Sequence, residues 1–165
     1  MQNAKDTFYT ALRDRLATLN PARTIVVRGV TRPGVLVEEN ELVSGVAPAD
    51  IFCLRWTGLK VDTQNPLPLA TLTCEIRYAT AGNAESGGMD RGRLLAAMDA
   101  ELSSALTAAP QSVAKMSYTS TAAPAALATN IFWGDPTFGP AIITGERVER
   151  AATVDVFCYQ EAGER

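Results

Sequence analysis

The sequence of 165 residues contains no histidine. This absence excludes Ser-His-Asp triads, Cys-His pairs and histidine-based metal sites. Cysteine is also scarce, and the three cysteines, Cys53, Cys74 and Cys158, each lie in an apolar strand pattern. Because free cysteine behaves as a small hydrophobic residue, we predict three buried, reduced and structural thiols, which suits a reducing compartment.

Positive charge is not clustered either. The sequence has three lysines, its arginines are scattered, and its formal net charge is −3. A protein that binds DNA tightly needs clustered Lys and Arg side chains to neutralise phosphates, so a dedicated DNA-binding role is not expected. The Gly-rich segment 82–92 lacks the Gly-Lys-Ser/Thr signature of a phosphate-binding loop and is interpreted as a flexible loop. The acidic segment 38–41 lacks the spacing of a calcium loop and is interpreted as a solvated turn.

Long hydrophobic runs are absent too. No apolar run approaches the roughly 20 residues of a membrane-spanning helix, and the first residues lack the apolar core of a signal peptide. The hydrophobic fraction of 47% is ordinary for a globular protein. We therefore expect one folded domain, 1–165, without a membrane partner.

Two segments have the periodicity of amphipathic helices. An apolar residue at every third or fourth position predicts helices over 4–19 and 90–106, with Asp90 as the N-cap of the second. The positions expected to share one core are Leu12, Leu16, Leu94, Met98 and Leu102.

Strand patterns fill much of the remaining sequence. β-Branched or alternating residues predict strands over 24–30, 35–37, 51–56, 71–78, 113–119 and 147–159. In the strand 71–78, one face carries Leu72, Cys74, Ile76 and Tyr78, and the other carries Thr71, Thr73, Glu75 and Arg77. Such alternation is typical of a sheet with one covered and one open face. The open face must meet either water or another subunit.

These elements predict an α+β fold, with two amphipathic helices packed on one face of a single mixed or antiparallel sheet. The segment 114–146 separates the second helix from the closing strand and is predicted to be an insertion or an extended arm. Its aromatic residues Phe132, Trp133 and Phe138 lie among Gly and Pro residues. They either pack back over the sheet or dock on a neighbour, and interfaces favour rigid aromatic anchors of this kind.

The order of these elements and the local texture of the sequence resemble the tail terminator family of long-tailed bacteriophages. The segments that carry the resemblance read FYTALRDRLATL, RPGVLVEENEL, LATLTCEIRYA, MDRGRLLAAMDAELSSAL and ATVDVFCYQ. The resemblance implies an α/β subunit of a ring, commonly a hexamer. Such a ring caps the tail tube at its set length and offers a surface for head joining. The family has no catalytic residue, cofactor or metal to carry over.

The resemblance also implies the partners of this protein. They are further copies of itself, the tail tube protein and the head–tail connector protein, while DNA passes through the lumen without specific binding. The expected location is the virion tail, after assembly in the cytoplasm of the bacterial host. The residues predicted to make contacts are Thr73, Glu75, Arg77, Phe132, Trp133 and Phe138.

Two alternatives stay open at this point. One is another phage subunit, either a head–tail connector or a tail tube protein, which would polymerise into long tubes. The other is a small ligand-binding domain or enzyme that uses carboxylates such as Glu75 or Asp155. A convergent pocket with shifted carboxylates would favour the second alternative.

Overall fold

The structure is a computed structural model that describes residues 1–41, 46–64, 66–118 and 123–161. The helices are α1 (Gln2–Leu19), α2 (Glu38–Glu41) and α3 (Arg91–Thr107). The strands are β1 (Thr24–Val27), β2 (Val30–Pro33), β3 (Val35–Val37), β4 (Phe52–Asp62), β5 (Leu69–Thr80), β6 (Ser112–Ser117), β7 (Ala125–Trp133), β8 (Thr137–Phe138), β9 (Ile142–Thr144) and β10 (Arg147–Tyr159).

The main sheet has the strand order β3-β4-β5-β10-β7-β6, and the short strands β8 and β9 also pair with β10. The strand β3 runs parallel to β4, while the other pairs are antiparallel, so the sheet is mixed. The predicted α+β class with one main sheet is confirmed. A separate two-stranded sheet, β1-β2, and the short helix α2 add to the predicted set.

The β1-β2 hairpin arises because the predicted strand 24–30 is interrupted by a tight turn. Arg28 and Gly29 connect the two strands, and both residues have positive φ, 51° and 80°. Two consecutive residues with positive φ are typical of the two-residue hairpin turn whose twist matches that of the strands. An arginine is unusual at such a position, which explains why the sequence pattern suggested a continuous strand.

Both long helices pack on the same face of the main sheet. Their buried stripes join the inward residues of β5 and β10 in one hydrophobic core, as predicted. Leu12, Leu16, Met98 and Leu102 belong to this core, whereas Leu94 is half-buried and Leu95 takes its place. The predicted register of α3 is therefore confirmed, and of its expected core positions Leu94 lies at the margin of the core.

Asp90 occupies the N-cap position of α3 without capping it. Its carboxylate instead accepts hydrogen bonds from the amide of Asn83, at 2.9 Å, and from the hydroxyl of Ser86, at 2.6 Å. These bonds lower the pKa of Asp90, first through Ser86 and then through Asn83. The Gly-rich segment before α3, which was predicted to be flexible, is thus held by a side chain.

The described residues of the segment 114–146, which are 114–118 and 123–146, contribute to the main sheet. The segment contributes most of β6 and all of β7, β8 and β9, and β7 lies between β10 and β6. Its interpretation as an extended arm is therefore wrong, because backbone pairing places it within the sheet. Whether it is an insertion relative to other proteins stays a prediction.

Candidate assembly surface

The open face of the main sheet is the face opposite α1 and α3. Thr73 and Glu75 lie on it, as the alternation of β5 predicts. The hydroxyl of Thr73 donates to a carboxylate oxygen of Asp155 on the neighbouring β10 at 2.8 Å. Both Thr73 and Glu75 are half-buried by neighbouring strands, and Asp155 is exposed. These residues form a polar, regularly spaced surface that a partner can contact.

Arg77 lies on the same face but has an internal role. Its guanidinium forms a close ion pair with Glu38 at the start of α2. The Glu38 side chain is 12% exposed, so this pair is shielded from solvent. Arg77 therefore stabilises α2 against the sheet. Its side chain is 24% exposed, and its role as a contact residue stays a prediction.

A second, small hydrophobic cluster covers the part of the open face around Arg77. Leu36, Ala47, Ile51 and Cys53 form this cluster, and the β1-β2 hairpin packs against it. The covering explains why Cys53 is fully buried although it points away from the helices. The uncovered part of the open face thus lies toward the other end of β5 and β10.

Three aromatic residues occupy that uncovered end, and we call them the aromatic cluster: Phe132 of β7 and Phe157 and Tyr159 of β10. The rings of Phe132 and Phe157 are stacked, with centroids 5.4 Å apart and 18° between planes. Tyr159 extends the group, 6.5 Å from Phe132, and is 37% exposed. A partly exposed, rigid aromatic group on a sheet surface is suited to binding another protein.

Trp133 does not belong to this surface. Its side chain is 5% exposed, and its indole nitrogen donates to the carbonyl of Leu106 at 2.9 Å. Its ring packs edge-to-face on Phe8, with centroids 5.5 Å apart, and the Arg15 guanidinium lies 4.9 Å from its centroid. Trp133 is thus a core residue. Its predicted contact role is wrong because alternation in β7 turns it toward the helices.

Phe138 also folds back onto its own sheet. It pairs with Ala152 in the β8-β10 ladder and packs against the main core, where it is half-buried. Of the three predicted contact aromatics, the structure therefore places Phe132 alone on the open face. The sequence did hold a signal for Phe157 and Tyr159: both lie in the outward phase of β10, where polar residues are expected.

An unpaired strand edge adjoins the open face. Within the described ranges, no strand pairs with the outer edge of β4 from Arg55 to Asp62, because β3 covers Phe52–Leu54 alone. Leu59 and Val61 lie on this stretch and are exposed, Leu59 by 58%. An exposed edge presents unpaired amides and carbonyls to another chain.

The β4-β5 hairpin that carries this edge is longer than predicted. The predicted strand ends at residue 56, yet β4 continues past a bulge at Trp56–Gly58 and pairs with β5 as far as Asp62. Alternation of Leu59, Lys60 and Val61 was the signal for the strand.

All three thiols are fully buried and reduced, as predicted. Desolvation, reinforced by the charge of Glu38, raises the pKa of the Cys53 thiol to about 11. Desolvation raises the pKa of Cys74 as well. Neither thiol is a nucleophile at neutral pH, since the reactive form is the thiolate.

Charged residues also line a cavity of about 220 Å³ beside the open face, among them Glu75, Arg77, Glu149 and Arg150. Its volume is below the roughly 300–1,000 Å³ of most ligand pockets. Two open grooves, of about 590 Å³ beside the β1-β2 hairpin and about 520 Å³ beside α3, fall within that range. The second is lined by Asp90 and Glu101, whose pKa values are lowered by hydrogen bonds within the protein. The described part of the chain holds no cluster of three Cys, Asp or Glu residues arranged for a metal ion. No helix in the described ranges is long and apolar enough to cross a membrane.

No protein-family model matches this sequence, and no curated protein matches it.

Proposed function

We propose that this protein is a structural subunit of a long-tailed phage. Its copies form a ring that caps the tail tube, ends tube growth and provides the surface for head joining. The element order and local texture of the sequence support this role through the resemblance to tail terminators. The observation that carries the proposal is the aromatic cluster on the open face, since this surface suits a protein partner.

The energetics favour burial of the aromatic cluster in an assembly. A fully buried aromatic side chain contributes roughly 1.5–3 kcal/mol through the area removed from water. Part of that gain is lost in ordering the partners. The cluster is already ordered by stacking between Phe132 and Phe157, so little further entropy is lost when a neighbour covers it.

A closed ring of more than two subunits requires two different patches on each subunit. The open face, with Glu75 and the aromatic cluster, supplies one candidate patch. The outer edge of β4, with exposed Leu59 and Val61, supplies the other. The two patches belong to different parts of the surface, so each subunit can use both at once.

The charge of the open face supports a protein partner over a nucleic acid. Single-stranded nucleic acids bind where aromatic platforms lie in positively charged grooves. Here Asp155 is exposed on the same strand as Phe157 and Tyr159, and Glu75 lies on the adjacent strand. Arg55 lies opposite Glu75 and Lys60 opposite Thr71 on the same face, so the surface is mixed in charge. It lacks a positively charged groove, which accords with DNA passing the ring without specific binding.

Charge reversal at Glu75 tests the proposed contact face. We expect Glu75→Arg to weaken assembly at least tenfold while its melting temperature stays near that of the wild type. Glu146→Arg, at the exposed β9-β10 turn, makes the same change in net charge and serves as control. Sedimentation velocity over a concentration series measures the assembly of both variants. Equal assembly by the two variants removes the open face as the contact.

A further inference from the structure

Lys115 is a lysine with no exposed side-chain surface. It lies at a bulge of β6, between the regular pairs Ala114–Asn130 and Met116–Ala126. Its ammonium donates to the carbonyl of Tyr159 at 2.7 Å and lies 3.4 Å from a carboxylate oxygen of Glu161. A buried ammonium is tolerated when it is paired and hydrogen-bonded, so the position of Glu161 is tied to that of Lys115.

Glu161 makes a second set of bonds, to β7. Its carboxylate accepts the amides of Ala128, at 3.2 Å, and Thr129, at 3.0 Å, and the Thr129 hydroxyl at 2.6 Å. The Thr129 hydroxyl is the main cause, with the two amides, of a Glu161 pKa lowered to about 2. The carboxylate therefore stays ionised and bound at neutral pH. We call these bonds the Glu161 contact.

The Glu161 contact occupies a strand edge. β10 pairs with β7 along Ile131–Trp133 alone. In the described chain, no strand pairs with the edge of β7 that faces β10 from Ala125 to Asn130. The Glu161 side chain binds two amides on this side of β7.

The sequence of β7 makes this edge prone to pairing with another strand. AALATNIFW contains no charged residue, no glycine and no proline over nine residues. Ala125, Ala126 and Ala128 are exposed and small, which leaves the backbone accessible. Uncharged strands with accessible backbone readily pair with identical chains, and proteins guard such edges with charged side chains.

We propose that the Glu161 contact closes the edge of β7 against a second copy of this chain. While Glu161 is bound, its carboxylate holds the Ala128 and Thr129 amides, and its charge lies where a second strand would enter. When the contact is lost, β7 of one copy pairs with β7 of another. This association differs from the proposed ring contact and does not depend on the tail function.

The Glu161→Ala variant tests the proposal, with Glu146→Ala as the matched control. We expect Glu161→Ala to speed hydrogen–deuterium exchange at Ala128 and Thr129 at least tenfold. We also expect species larger than the wild-type assembly at low micromolar concentration, measured by sedimentation velocity. Adding Ala128→Lys, an exposed charge on β7, to Glu161→Ala should suppress these species.

A third variant protects the test against simple misfolding. Glu161→Ala leaves Lys115 without its carboxylate, so Lys115→Met/Glu161→Ala removes both charges and keeps an apolar side chain in the site. Larger species from this folded double variant, suppressed by Ala128→Lys, support the proposal. The proposal would be overturned if Glu161→Ala and the folded double variant both sediment like the wild type, whether or not their amide exchange is faster. The readout is the change in sedimentation relative to the wild type, so a failure to form the proposed ring does not affect this test.

Discussion

Phe132 and Phe157 lie directly opposite each other on neighbouring strands, and their rings stack with centroids 5.4 Å apart. The two residues are on the open face, away from both long helices. Cross-strand aromatic pairs stabilise a sheet by roughly 0.2–1 kcal/mol. The more exposed Tyr159 lies beside this pair, with its ring 6.5 Å from that of Phe132, so the aromatic cluster is preformed in the single subunit.

Tyr159 is therefore the residue whose loss should separate assembly from stability. We expect Tyr159→Ser to weaken subunit association at least tenfold, equivalent to about 1.4 kcal/mol. Its melting temperature should change little, because the side chain is 37% exposed. Leu19→Ser, at an exposed apolar residue at the end of α1, is the control. Equal association constants for the two variants would show that the aromatic cluster is not at the interface.

Trp133 should behave in the opposite way. Truncation to alanine removes a core ring and leaves the Leu106 carbonyl without its indole donor. We expect Trp133→Ala to lower the free energy of unfolding by about 3–5 kcal/mol. The fraction that stays folded should associate normally. Chemical denaturation with sedimentation of the folded fraction measures both, and an unchanged unfolding midpoint with failed association would restore Trp133 as a contact residue.

The Glu161 contact predicts a specific pH dependence of stability. The pKa of Glu161 falls from 4.5 in the unfolded chain to about 2 in the fold. A carboxyl group whose pKa is lowered by folding stabilises the fold at pH values above its pKa in the unfolded chain. That stabilisation is lost as pH falls from about 4.5 toward 2. The stability difference between wild type and Glu161→Gln should thus be constant above pH 5 and shrink below it. Urea unfolding at several pH values measures it, and a difference that grows on acidification would contradict the contact.

The buried thiols should react when the protein unfolds and not before. Cys53, Cys74 and Cys158 have no exposed surface. We expect the rate of labelling by a thiol reagent to match the rate of global unfolding at all three sites. Replacing Cys74 with alanine should leave assembly intact. Rapid labelling of one site in the folded protein, or failed assembly by folded Cys74→Ala, would indicate a functional thiol.

Regular periodicity made much of the fold predictable. The apolar stripe of α1 and the strict alternation of β5 and β10 each indicate one buried face, and two buried faces must cover each other. The same alternation correctly placed Thr73 and Glu75 on the open face. These elements are long, so a local irregularity does not hide the pattern.

Contacts between residues distant in sequence were not predictable in the same way. Trp133 follows Phe132 directly, and whether one or the other faces the core depends on the pairing of β7 with β10. Flanking glycine and proline residues suggested a loop and hid that strand. Arg77 has an outward position in β5, but its ion pair with Glu38 depends on where α2 folds. The bonds of Glu161 to Lys115 and Thr129 likewise need the complete sheet.

Native mass spectrometry of the wild-type protein, alone and mixed with purified tail tube protein, tests the central claim most directly. The account predicts a single closed assembly of more than two subunits, formed either by the protein alone or on contact with tube ends. It also predicts that the assembly binds the tube with a fixed stoichiometry of one ring per end. A protein that stays monomeric in both samples, or that grows into polymers of unlimited length, would contradict it.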